Sequence, residues 1–240
     1  MKAVRLLTLL ALLAALLLLM AGPGTRLALW DFRFGFTLMR WALYLGVGSA
    51  GLAMIALAIP RLRRGQVGAL SLAIVVGLAT AALPLSQVQK ARSVPPIHDI
   101  TTDTNDPPTF EAIAPLRADA PNPVEYAGEE VAAQQREGYP DLGPLRTDHP
   151  PADVFAAARD AAEAMGWEMV AAEQAEGRIE ATDTTFWFGF KDDVVIRVRP
   201  QGDGSIVDVR SKSRVGGSDI GANAARIEGY LTELSDRLER

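Results

Sequence analysis

The chain begins in long apolar blocks and ends in short alternating ones. Residues 6–21 form an apolar run holding ten leucines, with Lys2 and Arg5 ahead of it. At about −0.5 kcal/mol per central leucine, that set favours membrane insertion by roughly 5 kcal/mol. A cleaved signal peptide is the competing reading, but its apolar region usually spans about 7–15 residues and closes on a small-x-small site. Here the run has 16 residues, and Leu19 or Met20 stands where a small side chain is needed, so retention as a helix is expected. Residues 41–59 are uncharged and are closed by Pro60 and the cluster Arg61, Arg63, Arg64; residues 67–85 make a third block. Three transmembrane helices over about 6–22, 41–59 and 67–85 follow, within an anchor of residues 1–92.

Small residues recur at four-residue spacing: Gly46 and Ala50, Ser49 and Ala53, then Ala73, Gly77 and Ala81. Such stripes let helix backbones approach where lipid supplies no hydrophobic drive. No ionisable residue falls inside a predicted span, which favours a packed anchor over a transporter. Between the first two spans, Trp30, Phe32, Phe34 and Phe36 alternate with Asp31, Arg33 and Gly35. Period two predicts a short extended segment at headgroup level, joined by Trp41 and Tyr44 in an aromatic belt.

Residues 93–151 hold eleven of the 15 prolines, which rules out regular helix or central strand through most of that stretch. Residues 93–150 are read as a stalk that goes on to wrap a domain in extended form. Phe110, Ile113, Leu116, Tyr126, Tyr139 and Leu145 are its candidate apolar anchors. Residues 151–240 are periodic. Pro150-Pro151 opens a helix whose stripe is Val154, Ala158, Ala161 and Met165, ended by Gly166. Strand-like segments follow at 167–172, 178–188, 194–199 and 205–213, with turns at Glu176-Gly177, at Lys191-Asp192-Asp193 and over 200–204. A last helix starts near Ser218 as N-cap and keeps Ile220, Ala224, Ile227, Leu231, Leu234 and Leu238 on one side. The fold class is α+β: three transmembrane helices, then a four-stranded antiparallel sheet covered on one face by two helices.

Charge sharpens this division. Up to Pro96 there are ten basic residues and one acid; beyond it, 14 basic residues face 28 acidic ones, a net of −14. The first part suits a span among anionic headgroups. The second argues against nucleic acid as a partner, since phosphate needs a cationic surface. Neither disulfides nor thiolate chemistry are available to a chain without cysteine. Basic residues flank the first helix and crowd the short loop at Arg61–Arg64, which favours a cytoplasmic N-terminus and an extracytoplasmic domain.

The alternation also marks candidate sites. If Val194, Ile196, Val198, Val207 and Val209 face the core, then Arg197, Arg199, Arg210 and Lys212 form a basic strip on the other face, beside Asp208 and Glu180. That strip is either a solvated face with cross-strand ion pairs or an anion-binding surface. Asp99, Thr101, Thr102, Asp103, Asn105 and Asp106 offer oxygen ligands, yet the glycine and terminal glutamate of a calcium loop are missing, so Asx-turn capping is preferred. Arg214, Gly216-Gly217, Ser218 and Asp219 lie where a strand feeds a helix N-terminus; a capped turn is preferred there to an anion site. Phe186, Trp187, Phe188 and Phe190 crowd one hairpin and are divided between core packing and an exposed patch for a partner or the bilayer. His98 and His149 are the two histidines, and no hydrolase or zinc-protease motif surrounds them.

The strings PIHDITTDTNDPPTF from Pro96, Tyr139-Pro140-Asp141, GRIEATDTT from Gly177, FKDDVVIRVR from Phe190 and DVRSKSRVGGSDIGANAARI from Asp208 resemble the bacterial domain-of-unknown-function family 1499 over about residues 93–240. The resemblance supports the domain and implies little chemistry. The expected function is a membrane-tethered binding or scaffold module of the bacterial inner membrane. Its contact residues are sought among Asp103, Asp106, Arg197, Arg199, Arg210, Arg214, Ser218 and Asp219. Expected partners are membrane lipids and an envelope protein or anionic ligand, and no cofactor or metal is expected. The alternatives are a membrane-bound hydrolase or transferase acting on an anionic substrate, and a lipid or small-ligand carrier.

Overall fold

The computed structural model describes residues 2–240, which fall into two compact units. One comprises the residues through Lys90 together with Phe186–Gly189; the other comprises Ala91–Thr185 and Phe190–Arg240.

The first unit is built on α1 (Lys2–Arg26), α2 (Phe32–Ala58), the single turn α3 (Pro60–Arg63) and α4 (Val67–Ser93). Three of these, α1, α2 and α4, are long and apolar enough to cross a membrane. Most of their buried residues are small, and many of their large apolar residues face outward. In α1, Val4, Ala11, Ala14, Leu18 and Ala21 are buried, while Leu6, Leu9, Leu16 and Leu19 are more than half exposed. The backbones of α2 and α4 touch at Gly46 and Gly77: a Cβ on Gly77 would lie 2.5 Å from the Gly46 carbonyl oxygen, and one on Gly46 2.7 Å from that of Gly77.

The aromatic segment before α2 is not extended; Phe32, Phe34 and Phe36 are helical. The Asp31 carboxylate accepts hydrogen bonds from the backbone N–H of Arg33 (2.7 Å) and Phe34 (3.2 Å), an N-cap that starts the helix nine residues ahead of Trp41. The alternate aromatics then meet as i,i+4 pairs, Trp30 with Phe34 at 5.5 Å and Phe32 with Phe36 at 5.8 Å between centroids. At a membrane boundary a helix pairs backbone groups that an isolated strand would leave open.

The second unit holds a six-stranded sheet, not the four strands expected. Its strands are β1 (Asp99–Thr101), β2 (Leu145–Thr147), β3 (Glu168–Glu173), β4 (Arg178–Thr184), β5 (Lys191–Gln201) and β6 (Gly204–Ser213). All pairings are antiparallel, in the order β1-β6-β5-β4-β3, and β2 lies on the same edge of β6 as β1, further along. β1 and β2 are three residues each, too short to show a period, and together they close an edge of β6 that would otherwise be open. α5 (Glu129–Gly138) lies between them; its EEVAAQQREG sequence has no apolar stripe to announce it.

α6 (Pro151–Ala164) and α7 (Ala222–Leu238) cover one face of the sheet as expected. The core there joins Val154, Phe155, Ala158 and Ala161 of α6, and Ile227, Tyr230 and Leu234 of α7, to Ile179, Val194, Ile196, Val198, Val207 and Val209. Trp167 stacks on Tyr230 at 5.2 Å, and the Tyr230 hydroxyl donates to the Ala158 carbonyl at 3.0 Å. Gly177 turns β3 into β4 at φ +63°, where a side chain would overlap the Val198 carbonyl.

Two further local expectations fail. Lys191, Asp192 and Asp193 belong to β5, not to a turn; the chain reverses over 185–190, closed by Thr185 N–H donating to Phe190 O (2.8 Å) and Phe190 N–H to Thr185 Oγ1 (2.9 Å). The last helix starts at Ala222, not beside Ser218, because Ile220 (φ +54°) and Gly221 (φ +73°) are left-handed and keep the preceding residues out of the helix.

Candidate functional site

The face of the sheet away from α6 and α7 is where the sequence places its charges, and the chain from Thr102 to Tyr126 covers it. Phe110 and Ile113 pack on Val195, with Val124 and Val170 beside them. Under this cover the charges meet carboxylates of opposite sign.

Asp99 is engaged by three cationic contacts: Arg210 Nε and Nη2, both at 2.8 Å, and Lys212 Nζ at 2.9 Å. All three side chains are about 2% exposed. Arg210 lies between the Phe110 and Tyr126 rings, at 5.0 and 5.3 Å from their centroids, and also donates to the carbonyls of Pro108 and Val124. Lys212 donates in addition to Glu125 O. Burial, as the largest cause, lowers the Lys212 ammonium from its ordinary range, opposed by Asp99. Burial likewise pushes the Tyr126 phenol up to about 12.

Asp193 is bracketed by Arg117 Nη1 (3.1 Å) and by Arg214 Nε (2.9 Å) and Nη2 (2.8 Å), and accepts from Thr182 Oγ1 at 2.8 Å. Glu180, fully buried, accepts from three consecutive backbone N–H groups, those of Glu111 (2.9 Å), Ala112 (3.0 Å) and Ile113 (2.8 Å), and pairs with Arg178. At the α7 end, Arg226 pairs with Asp192 (2.6 Å) and Asp183 (2.8 Å) and contacts Asn223 and Ser211. These are charge-assisted locks between the sheet and segments distant in sequence.

The expected basic strip is therefore not a solvated surface. Arg210 and Lys212 are interior, and only the Arg197–Arg199 end reaches water. There Asp208, fully buried, accepts from Arg197 Nη2 (3.1 Å) and Arg199 Nη2 (2.7 Å), while Asp106 Oδ2 meets Arg197 Nη1 (3.1 Å) and Arg199 Nη1 (3.0 Å). Asp103 Oδ2 stands 3.9 and 3.7 Å from the same two guanidinium groups. Three carboxylates thus outnumber two arginines, a balance that disfavours an added anion. Asp103 also caps its own loop, its Oδ1 accepting from the N–H of Asn105 and of Asp106 at 3.0 Å each. With Asp99 held by Arg210 and Lys212, the oxygen-rich loop is divided among separate tasks. Among the described residues no group of three or more His, Cys, Asp or Glu is placed to hold a metal ion.

Ser218 and Asp219 sit together, apart in function from Arg214, which belongs to the Asp193 lock. Ser218 Oγ accepts from Ile220 N–H at 3.2 Å; Asp219 Oδ1 and Oδ2 accept from Gly221 and Asn223 N–H at 2.8 Å each. Asp219 rather than Ser218 does most of the capping, so the amides that an anion would need are already taken. Burial raises the Asp219 carboxyl above its ordinary range even so.

What stays open is a cleft of about 320 Å³ beside this network, lined by Pro108, Thr109, Glu111, Glu176, Arg178, Val195 and Arg197. Arg178 is the hinge of its charge, meeting Glu111 at 3.1 Å and contacting Glu176 and Glu180. The cleft therefore offers both signs of charge over an apolar floor. Of its lining, sequence reasoning singled out Arg197 alone; a loop that pairs with a strand some 70 to 90 residues later leaves no local signal for the rest.

The model of the family "Protein of unknown function (DUF1499)" matches residues 99–234, more than half of the chain. The chain belongs to this family. The match begins at Asp99 and ends at Leu234, so in this DUF1499 member the covering segment, the locks, α6 and all but the last turn of α7 lie inside the family region. No curated protein matches the chain. Among solved structures, the crystal structure of CalU16 from Micromonospora echinospora is similar over 40% of this chain and 76% of that one, at 15% identity and a TM-score of 0.28. A likeness that slight bears on neither fold nor function.

Proposed function

We propose that this DUF1499 protein is a membrane-tethered binding or scaffold module of the bacterial cell envelope, anchored by α1, α2 and α4 and carrying its domain on the extracytoplasmic side. The observation that carries the reading is the mutual occupation of the domain's charged groups. Asp99, Asp193, Glu180 and Asp208 each hold cations or amides that would otherwise have to be mobile in a reacting site. That makes a stiff frame, suited to presenting a surface rather than to moving protons.

The surface presented is the cleft between Pro108 and Arg197. Its paired charges, Glu111 and Glu176 against Arg178 and Arg197, suit a zwitterionic or peptide-like group better than a bare anion. The acidic surplus of residues 97–240 favours a partner with basic residues.

Thr109 is exposed at the cleft and Glu137 is exposed on α5, which makes them a matched pair of positions for a photo-crosslinking amino acid. In native membranes of the full-length protein, position 109 is expected to yield a discrete adduct and position 137 none. Equal labelling at both, or at neither, removes the cleft as a contact surface. A topology reporter fused after Arg240 checks the side: activity restricted to the cytoplasm refutes the extracytoplasmic placement.

A further inference from the structure

Phe186 is the most exposed large apolar side chain among the described residues, at 92%. It opens the four-residue segment Phe186–Gly189 that belongs to the same compact unit as the membrane-length helices. Within that unit the segment is well seated. The Trp187 indole lies on Gly22, where a methyl group would overlap it, and a Cβ on Gly35 would come 2.9 Å from Phe188 Cε1. Phe188 meets Phe36 at 5.2 Å between centroids, and Arg26 Nη1 donates to the Phe186 carbonyl at 2.6 Å. Every neighbour of Phe186 is thus fixed, and its own ring is left outside.

Depth follows from helix geometry. Gly22 precedes Arg26 by four residues, about 6 Å along the axis of α1 at 1.5 Å per residue. The indole therefore sits one turn to the apolar side of the last charged residue of that helix, the level at which Trp is favoured in membrane proteins. Leu27 and Leu29, 69% and 65% exposed, add apolar surface in the α1–α2 turn that follows Arg26, and Arg26 and Arg33 supply cations for lipid phosphate. The topology agrees, since three crossing helices place the α1–α2 turn and everything after α4 on one side of the membrane.

We infer that Phe186 inserts into the headgroup–acyl boundary of the bilayer beside the α1–α2 turn, making Phe186–Gly189 a lipid-contacting tip. The occupant of this exposed ring is lipid, because the surface it continues is that of helices long and apolar enough to be lipid-facing. The inference rests on the membrane anchoring in the proposed function and adds a second point of lipid contact, remote in sequence from the helices.

The chain has no cysteine, so a single introduced thiol is labelled uniquely. Full-length Phe186→Cys, Leu9→Cys and Asp203→Cys proteins, each carrying a nitroxide, are placed in nanodiscs of phosphatidylethanolamine and phosphatidylglycerol. Collision with oxygen is compared with collision with a water-soluble nickel chelate. Leu9 faces outward from α1, and Asp203 is exposed in the β5–β6 turn. At position 186 oxygen is expected to dominate, as at position 9, whereas nickel dominates at position 203. Nickel dominance at 186 with oxygen dominance at 9 overturns this inference and leaves the anchor intact. Inaccessibility of position 186 to both reagents also overturns it, in favour of a protein occupant. Nickel dominance at position 9 overturns the membrane reading itself.

Discussion

Replacing Asp99 with Asn strands two buried cations. Arg210 and Lys212 each make their only ion pair among the described residues with Asp99, and all three side chains are about 2% exposed. Removing one partner of a buried pair costs about 3–5 kcal/mol, because the remaining charge keeps its desolvation penalty. Carbonyls of Pro108, Val124 and Glu125 still accept from the two cations, which places the expected loss near the lower end, about 3 kcal/mol. At about 2–4 °C per kcal/mol for a domain of roughly 150 residues, the melting temperature should fall by about 6–12 °C.

The assay is thermal unfolding of the full chain in nanodiscs, followed by near-ultraviolet circular dichroism, to which the buried Trp167–Tyr230 stack contributes. Glu129→Gln is the control: it breaks the pair with Arg136, whose side chains are 79% and 47% exposed, and surface pairs are worth about 0–1 kcal/mol. A second arm converts the whole triad to apolar residues, Asp99→Leu, Arg210→Met and Lys212→Met. Removing all the charges together should recover much of the loss, since no buried charge is left unmatched. If Asp99→Asn melts no lower than Glu129→Gln, or the triple replacement melts lower than the single one, the covering segment is not held by this lock.

Three further outcomes follow from the same geometry. Burial first, and then the Lys212 charge, holds His98 below its ordinary value of 6.5. The unfolded chain therefore takes up the proton first as pH falls, so stability is lost from about pH 6.5 down through the folded value; His98→Gln should flatten urea-derived stability between about pH 7 and pH 5, and an unchanged slope would count against it. Asp219→Ala leaves the N–H groups of Gly221 and Asn223 without their acceptor and should cost about 1 kcal/mol, whereas Asp219→Asn, which can still accept and no longer buries a charge, should cost less; equal losses in denaturant melts contradict the capping role. Gly77→Val forces α2 and α4 apart at Gly46 and should destabilise the helical unit by about 1–3 kcal/mol, read as a lower midpoint on titration with a denaturing detergent. A midpoint that does not move would mean that those backbones do not touch.

The parts of the fold legible in the sequence are those carried by local period. Long apolar runs mark α1, α2 and α4, and the 3.6 and 2.0 periods mark α6, α7 and the four long strands, with their inward valines on the correct parity. Local rules misled where a competing interaction, local or long-range, was stronger. The alternating aromatics before α2 carry a strand period, but one Asp31 cap and i,i+4 ring contacts decide for helix. Lys191-Asp192-Asp193 has turn composition, but Asp192 and Asp193 have arginine partners from α7, the Ala114–Arg117 turn and the end of β6, so they stay in the strand.

The candidate site was harder because its meaning depends on what lies over it. Alternation put Arg197, Arg199, Arg210 and Lys212 on one face, and that placement holds; whether the face is wet depends on a proline-rich segment about 70 to 110 residues earlier. Proline removes the backbone periodicity by which such a segment would reveal its destination. Phe110 and Ile113 were visible as anchors, but nothing near them names Val195 as their floor. A cation beneath such a cover is stable only when a carboxylate or carbonyl meets it there, as Asp99 of β1 and the Glu125 and Pro108 carbonyls of the cover do here. A mismatched register would bury unpaired charge on both sides, so the same pairs that neutralise the strip also fix where the cover lies. Charge on this face is thus a device for docking the chain onto itself.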